Sequence, residues 1–401
     1  MTPRLNDKIE NAMRFSALTE RITGPGNDAW TIHRQACEAF NRGEDVIVMS
    51  IGDPDFSTPK VIVERAVEAL YGGDTHYAEI PGRPALNRAI AGLYRQQGLD
   101  VDERWVIPAA GAQNALYAAV QCLLDPGDEV LAFAPLYVTY TATLEAHGAK
   151  LVKINTSAEH SFRPDVAALA DAITPQTRAI FLATPNNPTG VVLNRQELSA
   201  IAELARAHDL WVLVDEVYQH LVYDGSFVSM ASLPGMLERT VSLGSLSKSH
   251  AMTGWRAGWI MGPPEMIEHA QRLALNMLYG LPGFVQEAAI TAIAHHQSIC
   301  EEARQVYAAR CEVVRQGLEN HPRLTLLTPK AGMFVLLDIR QTGLSSHDFA
   351  WRLFREAGVS VLDAAAFGEI ASGFVRISFT LNEAALAEGC RRLCKFVDSL
   401  N

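Results

Sequence analysis

Cysteine is scarce in this chain. Its 401 residues hold six, at positions 37, 122, 300, 311, 390 and 394, and no two form a Cys-x-x-Cys pair. That excludes a disulfide scaffold and fits buried, reduced thiols in a reducing compartment. Long apolar runs are missing too. No uncharged stretch approaches the roughly 20 residues of a membrane span. The first residues (MTPRLNDKIENAMRF) mix charges and amides and lack the apolar core of a secretory signal. A cytoplasmic setting is expected. There is no basic surplus: 34 Lys and Arg stand against 45 Asp and Glu, a formal charge of −11. Binding a phosphate backbone needs a basic face, so a nucleic-acid partner is not expected. Gly-x-Gly-x-x-Gly, a Walker lysine loop and His-Glu-x-x-His are all absent. So are internal repeats and low-complexity tracts.

What remains is an ordinary globular composition, 48% apolar and 20% charged. The length suggests two or three domains, or one large α/β unit with an attachment. Residues 1–28 are polar and irregular, with Gly24-Pro25-Gly26 marking a turn, and read as an arm. A helical stretch, Ala29 to Gly43, leads into an apolar strand, Val46 to Ile51. Gly52-Asp53-Pro54-Asp55-Phe56 ends that strand. From about 60 to 250 the pattern alternates. Helices are expected over Val61–Tyr71, Pro84–Gln97 and Asn114–Leu124. Apolar runs lie at Glu129–Ala134, Lys150–Ile154, Thr177–Ala183, Trp211–Val214 and Thr240–Leu243. They carry few alternating polar positions, so both faces of each strand are buried. Buried strands separated by helices mean a parallel sheet wrapped in helices. After Pro282-Gly283 one long helix should run to about Asn320. Beyond it, strands at Met333–Ile339, Val359–Leu362 and Gly373–Phe379 alternate with helices at His347–Gly358 and Asn382–Ser399. The expected fold is therefore α/β. A large domain, 60–298, carries a mostly parallel sheet. A smaller α+β domain comes from both chain ends, 29–59 and 299–401.

Four segments carry chemistry. Ser245-Leu246-Ser247-Lys248 follows an apparent core strand, with Arg256 close behind. A lysine at the end of a buried parallel strand sits where α/β folds put ligands. Desolvated, it has a lowered pKa and can form a Schiff base. The two hydroxyls and the guanidinium suit a phosphate. Asp215 ends the strand-like Trp211–Val214 run and needs a partner, such as a protonated ring nitrogen. Asn186-Asn187-Pro188-Thr189-Gly190 can hold a side-chain amide in one orientation. Gly111-Ala112-Gln113 opens a helix, where backbone N–H groups meet anions. Each segment alone also reads blandly, as a loop lysine, a helix cap, a common turn and a tight helix start. Together they form the set that pyridoxal phosphate needs.

With these motifs the chain resembles the fold-type I pyridoxal-phosphate aminotransferases of class I/II, from about Trp30 to the C-terminus. The likeness rests on Gly52-Asp-Pro-Asp-Phe56, Tyr77 to Leu86, Asn186 to Gly190, Asp215-Glu-Val-Tyr218, Ser245 to Lys248 and Gly254 to Trp259. The resemblance implies pyridoxal 5'-phosphate as cofactor, with Lys248 as the Schiff-base lysine and proton shuttle. Asp215 would face the ring nitrogen, and Tyr218 and Asn187 the ring oxygen. Tyr137 would stack on the ring. Gly111, Ala112, Gln113, Ser245, Ser247 and Arg256 would cup the phosphate. Gly52 and Arg376 would hold the substrate carboxylate. Tyr77 would reach the phosphate of a neighbouring subunit, which implies a homodimer.

Relatives specific for dicarboxylates supply an arginine shortly before a Tyr-Ser-Asn-Pro-Pro-like segment. Here Asn276 precedes Leu278-Tyr-Gly-Leu-Pro282. Other stretches, including Thr75–Glu79, Pro135–Tyr140 and Ser245–Trp259, look closer to bacterial transaminases that use arginine and pyruvate. An arginine donor needs an acid for its guanidinium. Glu79, two residues after Tyr77, is the candidate, and its alternative is a solvated surface glutamate. The expected reaction is ping-pong transfer of an amino group from an L-amino acid, arginine favoured, to a 2-oxo acid such as pyruvate. Aspartate or aromatic transamination, and β-elimination on the same cofactor, stay open. The Ser245-x-x-Lys248 spacing of penicillin-recognising enzymes lacks its Lys-Thr-Gly companion. His296 and Cys300 share a helix face with no third ligand in view, so no metal is expected.

Overall fold

The computed structural model describes residues 15–22 and 26–400. The Gly24-Pro25 turn and most of the expected arm lie outside the described residues. Seven strands form the main sheet, in the order 106–109, 258–261, 240–245, 211–215, 177–183, 129–134 and 150–155. All run parallel except Gly258–Met261, which is antiparallel to both neighbours. Side chains alternate across the sheet, and each face meets helices. Leu213, Val241 and Phe181 pack with Ala115, Leu116 and Ile267 on one face. Val212, Val214 and Ile180 pack with Leu198 and Ile201 on the other. The helix Arg195–Ala207 starts on a capping box, in which Asn194 and Glu197 satisfy each other's backbone N–H groups.

A second core unites the two ends of the described chain. Ile47–Val48 pairs in parallel with Val359–Ser360. Beside them stands an antiparallel sheet ordered 362–363, 374–378, 334–338 and 325–327. Ile32 and Met49 share this core with Phe349, Val375 and Leu393.

Several expectations differ from the structure in detail: the strand expected over Val46–Ile51 is only Ile47–Val48, and the Lys150–Ile154 run, at the sheet edge, is buried on one face rather than two. The long helix after Pro282 is two helices, Gly283–Ala294 and His296–Leu318, broken at His295. No glycine or proline marks that break. The first helix packs on Lys60–Tyr71 and Pro84–Gln96, the second on Glu383–Asp398, so tertiary packing decides it. The strand read over Val359–Leu362 is two short ones, because the chain passes from one small sheet to the other at Val361. Strands Val106–Ala109 and Gly258–Met261 were not anticipated. Each is four residues long, and the first carries Pro108, which an edge strand tolerates. All six cysteines are free thiols. No helix among the described residues is long and apolar enough to cross a membrane.

Phe181 links the core to the chemistry. It is 1% exposed, and its ring lies 4.7 Å from that of Tyr140, edge to face. Truncating Phe181→Ala should cost about 3–5 kcal/mol of stability, read from the urea midpoint.

Candidate active site

Parallel strands end on the same edge of a sheet, and that edge is where the chain gathers polar groups. Asp215 and Ser245 are the last residues of adjacent strands. Pro135 and Thr184 directly follow two more. A cleft of about 390 Å3 opens there, lined by Gly52, Ala112, Gln113, Tyr137, Asn187, Asp215, Tyr218, Ser245, Ser247, Lys248, Arg256 and Arg376.

Lys248 sits three residues past the end of its strand, and its Nζ donates to the carbonyl of Gly52 at 2.7 Å. Burial lowers its pKa to about 8; Arg376 and Arg256 push the same way, while Asp53 and Asp215 oppose. A glycine is required at 52, since an added Cβ would lie 2.2 Å from the Phe334 ring. Around Lys248 the polar groups face each other. Ser245 Oγ is 2.8 Å from Ser247 Oγ and accepts the Ser247 N–H at 3.0 Å. Arg256 Nη2 donates to the carbonyl of Ala110 at 3.1 Å. Gly111, with φ of +83°, caps the helix Ala112–Leu123, and a Cβ there would lie 2.3 Å from Arg256 Nη2. The first N–H groups of that helix lack partners within it, which makes its start an anion site.

Asp215 is 6% exposed. Its Oδ2 accepts from the Tyr140 hydroxyl at 2.7 Å, and its Oδ1 accepts the Val217 N–H at 3.0 Å. Burial nevertheless pushes its carboxyl up to about 6. A cation brought beside it would restore the ionised form. Burial also raises the Tyr218 phenol far above its usual range, so it stays protonated.

Arg376 is 1% exposed, yet no carboxylate pairs with it among the described residues. Its Nη1 donates to Asn187 Oδ1 and its Nη2 to the Ser50 carbonyl, each at 3.0 Å. Its Nε has no partner among the described residues. Phe334 and Phe367 flank the guanidinium at 4.3 and 4.9 Å. Burial lowers its pKa to about 10. A buried guanidinium without a carboxylate is costly, and a ligand carboxylate relieves that cost.

Two expected residues stand apart from the cleft. Tyr77 is 87% exposed, its ring 4.7 Å from that of Tyr279, and Glu79 is exposed beside it. Gly111 reaches the cleft through Arg256. The structure adds Tyr140, Trp30 and Asp53 to the wall. Tyr140 follows Tyr137 by three residues, and their rings are 5.6 Å apart. That spacing and the acid nearby were the only signal for it. Asn276 lies exposed and bonds within its own helix, so the arginines lining the cleft are Arg256 and Arg376.

These groups fit pyridoxal phosphate: a lysine of lowered pKa, a buried acid in want of a cation, and an anion cup made by a helix start, two serines and an arginine. The fold and the site together define an aminotransferase of the α/β type. Residues 44–393 match the model of the aminotransferase class I and II family, and the chain belongs to it. Its members depend on pyridoxal 5'-phosphate. The chain is 49% identical to an arginine–pyruvate transaminase of Pseudomonas aeruginosa, over 95% of its own length and 97% of that protein's. It is 36% identical to an aspartate aminotransferase of Pyrococcus horikoshii, over 91% and 94% of the two chains. Aspartate aminotransferase of Thermus thermophilus, solved with maleate, superposes with a TM-score of 0.90 at 32% identity, covering 96% of this chain and all of that one.

Asp215 allows a test free of turnover. Its folded pKa lies above the unfolded 3.8, so the unfolded chain loses this proton first as pH rises. Cofactor-free protein should therefore lose stability between about pH 4 and 6, by up to about 3 kcal/mol from this one group. Asp215→Asn should flatten that part of the curve in urea titrations at successive pH values. An unchanged slope refutes the buried-acid account.

Proposed function

We propose that this aminotransferase holds pyridoxal 5'-phosphate in the cleft and moves the amino group of an L-amino acid, arginine favoured, to a 2-oxo acid such as pyruvate. The observation that carries the reading is the convergence of Lys248, Asp215 and Arg376 on one cleft at the strand ends. When bound, the cofactor supplies an aldehyde for amine exchange and a protonated ring that accepts electron density. The protein does the rest. Lys248 Nζ, with its pKa near 8, takes the proton from the substrate Cα and returns it as general base and acid. Asp215, as carboxylate, keeps a proton on the ring nitrogen. Tyr218 and Asn187 would donate toward the ring oxygen, and Tyr137 would cover the ring face. Ser245, Ser247, Arg256 and the helix start at Gly111, Ala112 and Gln113 bind the phosphate. Arg376 fixes the α-carboxylate, and Gly52 leaves room for it.

The arginine preference draws support from the 49% identical relative and from Asp53, an acid on the cleft wall. An asparagine, Asn276, stands where dicarboxylate-specific relatives carry an arginine, which disfavours a dicarboxylate donor. Glu79 would act from the subunit boundary. A homodimer is supported by an exposed apolar face. Tyr71, Val67, Leu70, Tyr77, Leu275 and Tyr279 all stand in solvent in the single chain. In the proposed dimer Tyr77 completes the phosphate cup of a second copy. The free cysteines support a reducing compartment, the cytoplasm.

Adding L-arginine without oxo acid should collapse the visible band of the lysine-bound cofactor, and pyruvate should restore it. A band unmoved by arginine refutes the donor and leaves the class standing. Lys248→Ala should cut multiple turnover by at least about 10^4-fold while the protein stays folded. Mixing Lys248→Ala with Tyr77→Ala subunits should restore activity, because one site of the hybrid regains both residues. No restoration refutes Tyr77 acting across the boundary.

A further inference from the structure

Four metal-ligating side chains meet behind the catalytic strand ends, and none of them lines the cleft. His220 lies in the helical turn Gln219–Leu221, two residues past Tyr218. His250 is fully buried, two residues past Lys248. His296 and Cys300 sit one turn apart on the helix His296–Leu318. On that helix alone they are two ligands, and the fold brings the others to them. The ligand atoms of His220, His296 and Cys300 all lie within 4.8 Å of one another. The rings of His220 and His296 are 4.2 Å apart and nearly perpendicular, and those of His250 and His296 are 5.2 Å apart. Cys300 Sγ is 3.5 Å from His296 Nδ1 and 3.9 Å from His250 Nε2.

Those separations can be compared with a tetrahedral ion. With Zn–N of about 2.05 Å and Zn–S of about 2.3 Å, the ligand–ligand edges come to roughly 3.4–3.6 Å. The sulfur–nitrogen distances need only a few tenths of an ångström of movement, whereas His250 falls outside the set whose ligand atoms all lie within 4.8 Å of one another and must swing inward to become the fourth ligand. Ser249 Oγ and His250 Nδ1 are hydrogen-bonded at 2.8 Å, and the His250 ring also bonds the Ala292 backbone, a contact that a metal at this ring would have to replace. No carboxylate among the described residues hydrogen-bonds to any of the four, so the cluster is not an ion-pair network.

We propose that His220, His296, Cys300 and His250 Nε2 hold one zinc ion. Three imidazoles and one thiolate are a zinc donor set, and four protein ligands make a closed, structural site. Binding releases the Cys300 thiol proton to solvent. The ion ties the turns that follow Tyr218 and Lys248 to the helix that packs on the small sheet unit.

The test uses untagged, full-length protein carrying its cofactor, freed of metal with a chelator and titrated with Zn2+ alone. One zinc per chain should bind, read by elemental mass spectrometry after dialysis, and Tm should rise. Co2+ in its place should give the strong red d–d bands of a tetrahedral site, where the cofactor does not absorb. Cys300→Ser should weaken zinc binding by at least about 100-fold, the upper end of what losing even a supporting residue costs. His220→Gln, on a partly exposed residue, should do the same and keeps the test decisive if Cys300→Ser folds poorly. The cofactor band should persist in both. Substoichiometric zinc in the wild type, or equal affinity in wild type and His220→Gln, overturns the proposal.

Discussion

Asp215 and Arg376 hold opposite charges in the two buried cores that border the cleft, and neither is fully answered among the described residues. Asp215 draws on a tyrosine hydroxyl and one backbone N–H, and its carboxyl still stands near 6. Arg376 lies between two phenyl rings with an unpartnered Nε. Burying charge this way lowers stability, and the cost is recovered only when ligands of complementary charge arrive. Much of the surrounding structure serves to keep these two groups, and the lysine between them, in fixed positions.

The parallel sheet is what makes that possible. Its inner strands are covered on both faces, so their ends are held by packing on two sides, while the edge strand Lys150–Asn155 leaves Lys150, Lys153 and Asn155 exposed. Residues placed at or just after those ends inherit the rigidity of the core. Phe181 illustrates the chain of support: it packs on Tyr140, which bonds Asp215. The small unit supplies Arg376 and Phe334 from neighbouring strands, Leu336 lying opposite Arg376. The Gly52 segment, which accepts from Lys248, runs beside that unit.

The outer face of the molecule has its own logic. Tyr71, Tyr77 and Tyr279 are all exposed, and the rings of Tyr77 and Tyr279 lie 4.7 Å apart. On the opposite side of the same catalytic turns, His220 and His250 extend Tyr218 and Lys248 into a cluster with His296 and Cys300. A single residue of chain stands between Tyr218 and His220, and between Lys248 and His250.

Much of this was legible in the chain itself. Continuous apolar runs such as Thr177–Ala183 can only be strands buried on both faces, and Asp215 and Lys248 at their ends mark the chemistry. Motif spacing along one strand and its following turn is local, so it survives in one dimension. What depends on distant segments did not. Tyr140 meets Asp215 from 75 positions away. The break at His295 follows from which helices each half packs against. The meeting of His220 with His296 joins turns that no local pattern connects. The sequence by itself determined five of the seven strands of the main sheet, the candidate site residues and the family, because these are written in neighbouring residues. Only the tertiary structure decided which charges are buried unpaired and which side chains face each other, because burial and contact are properties of the packed chain.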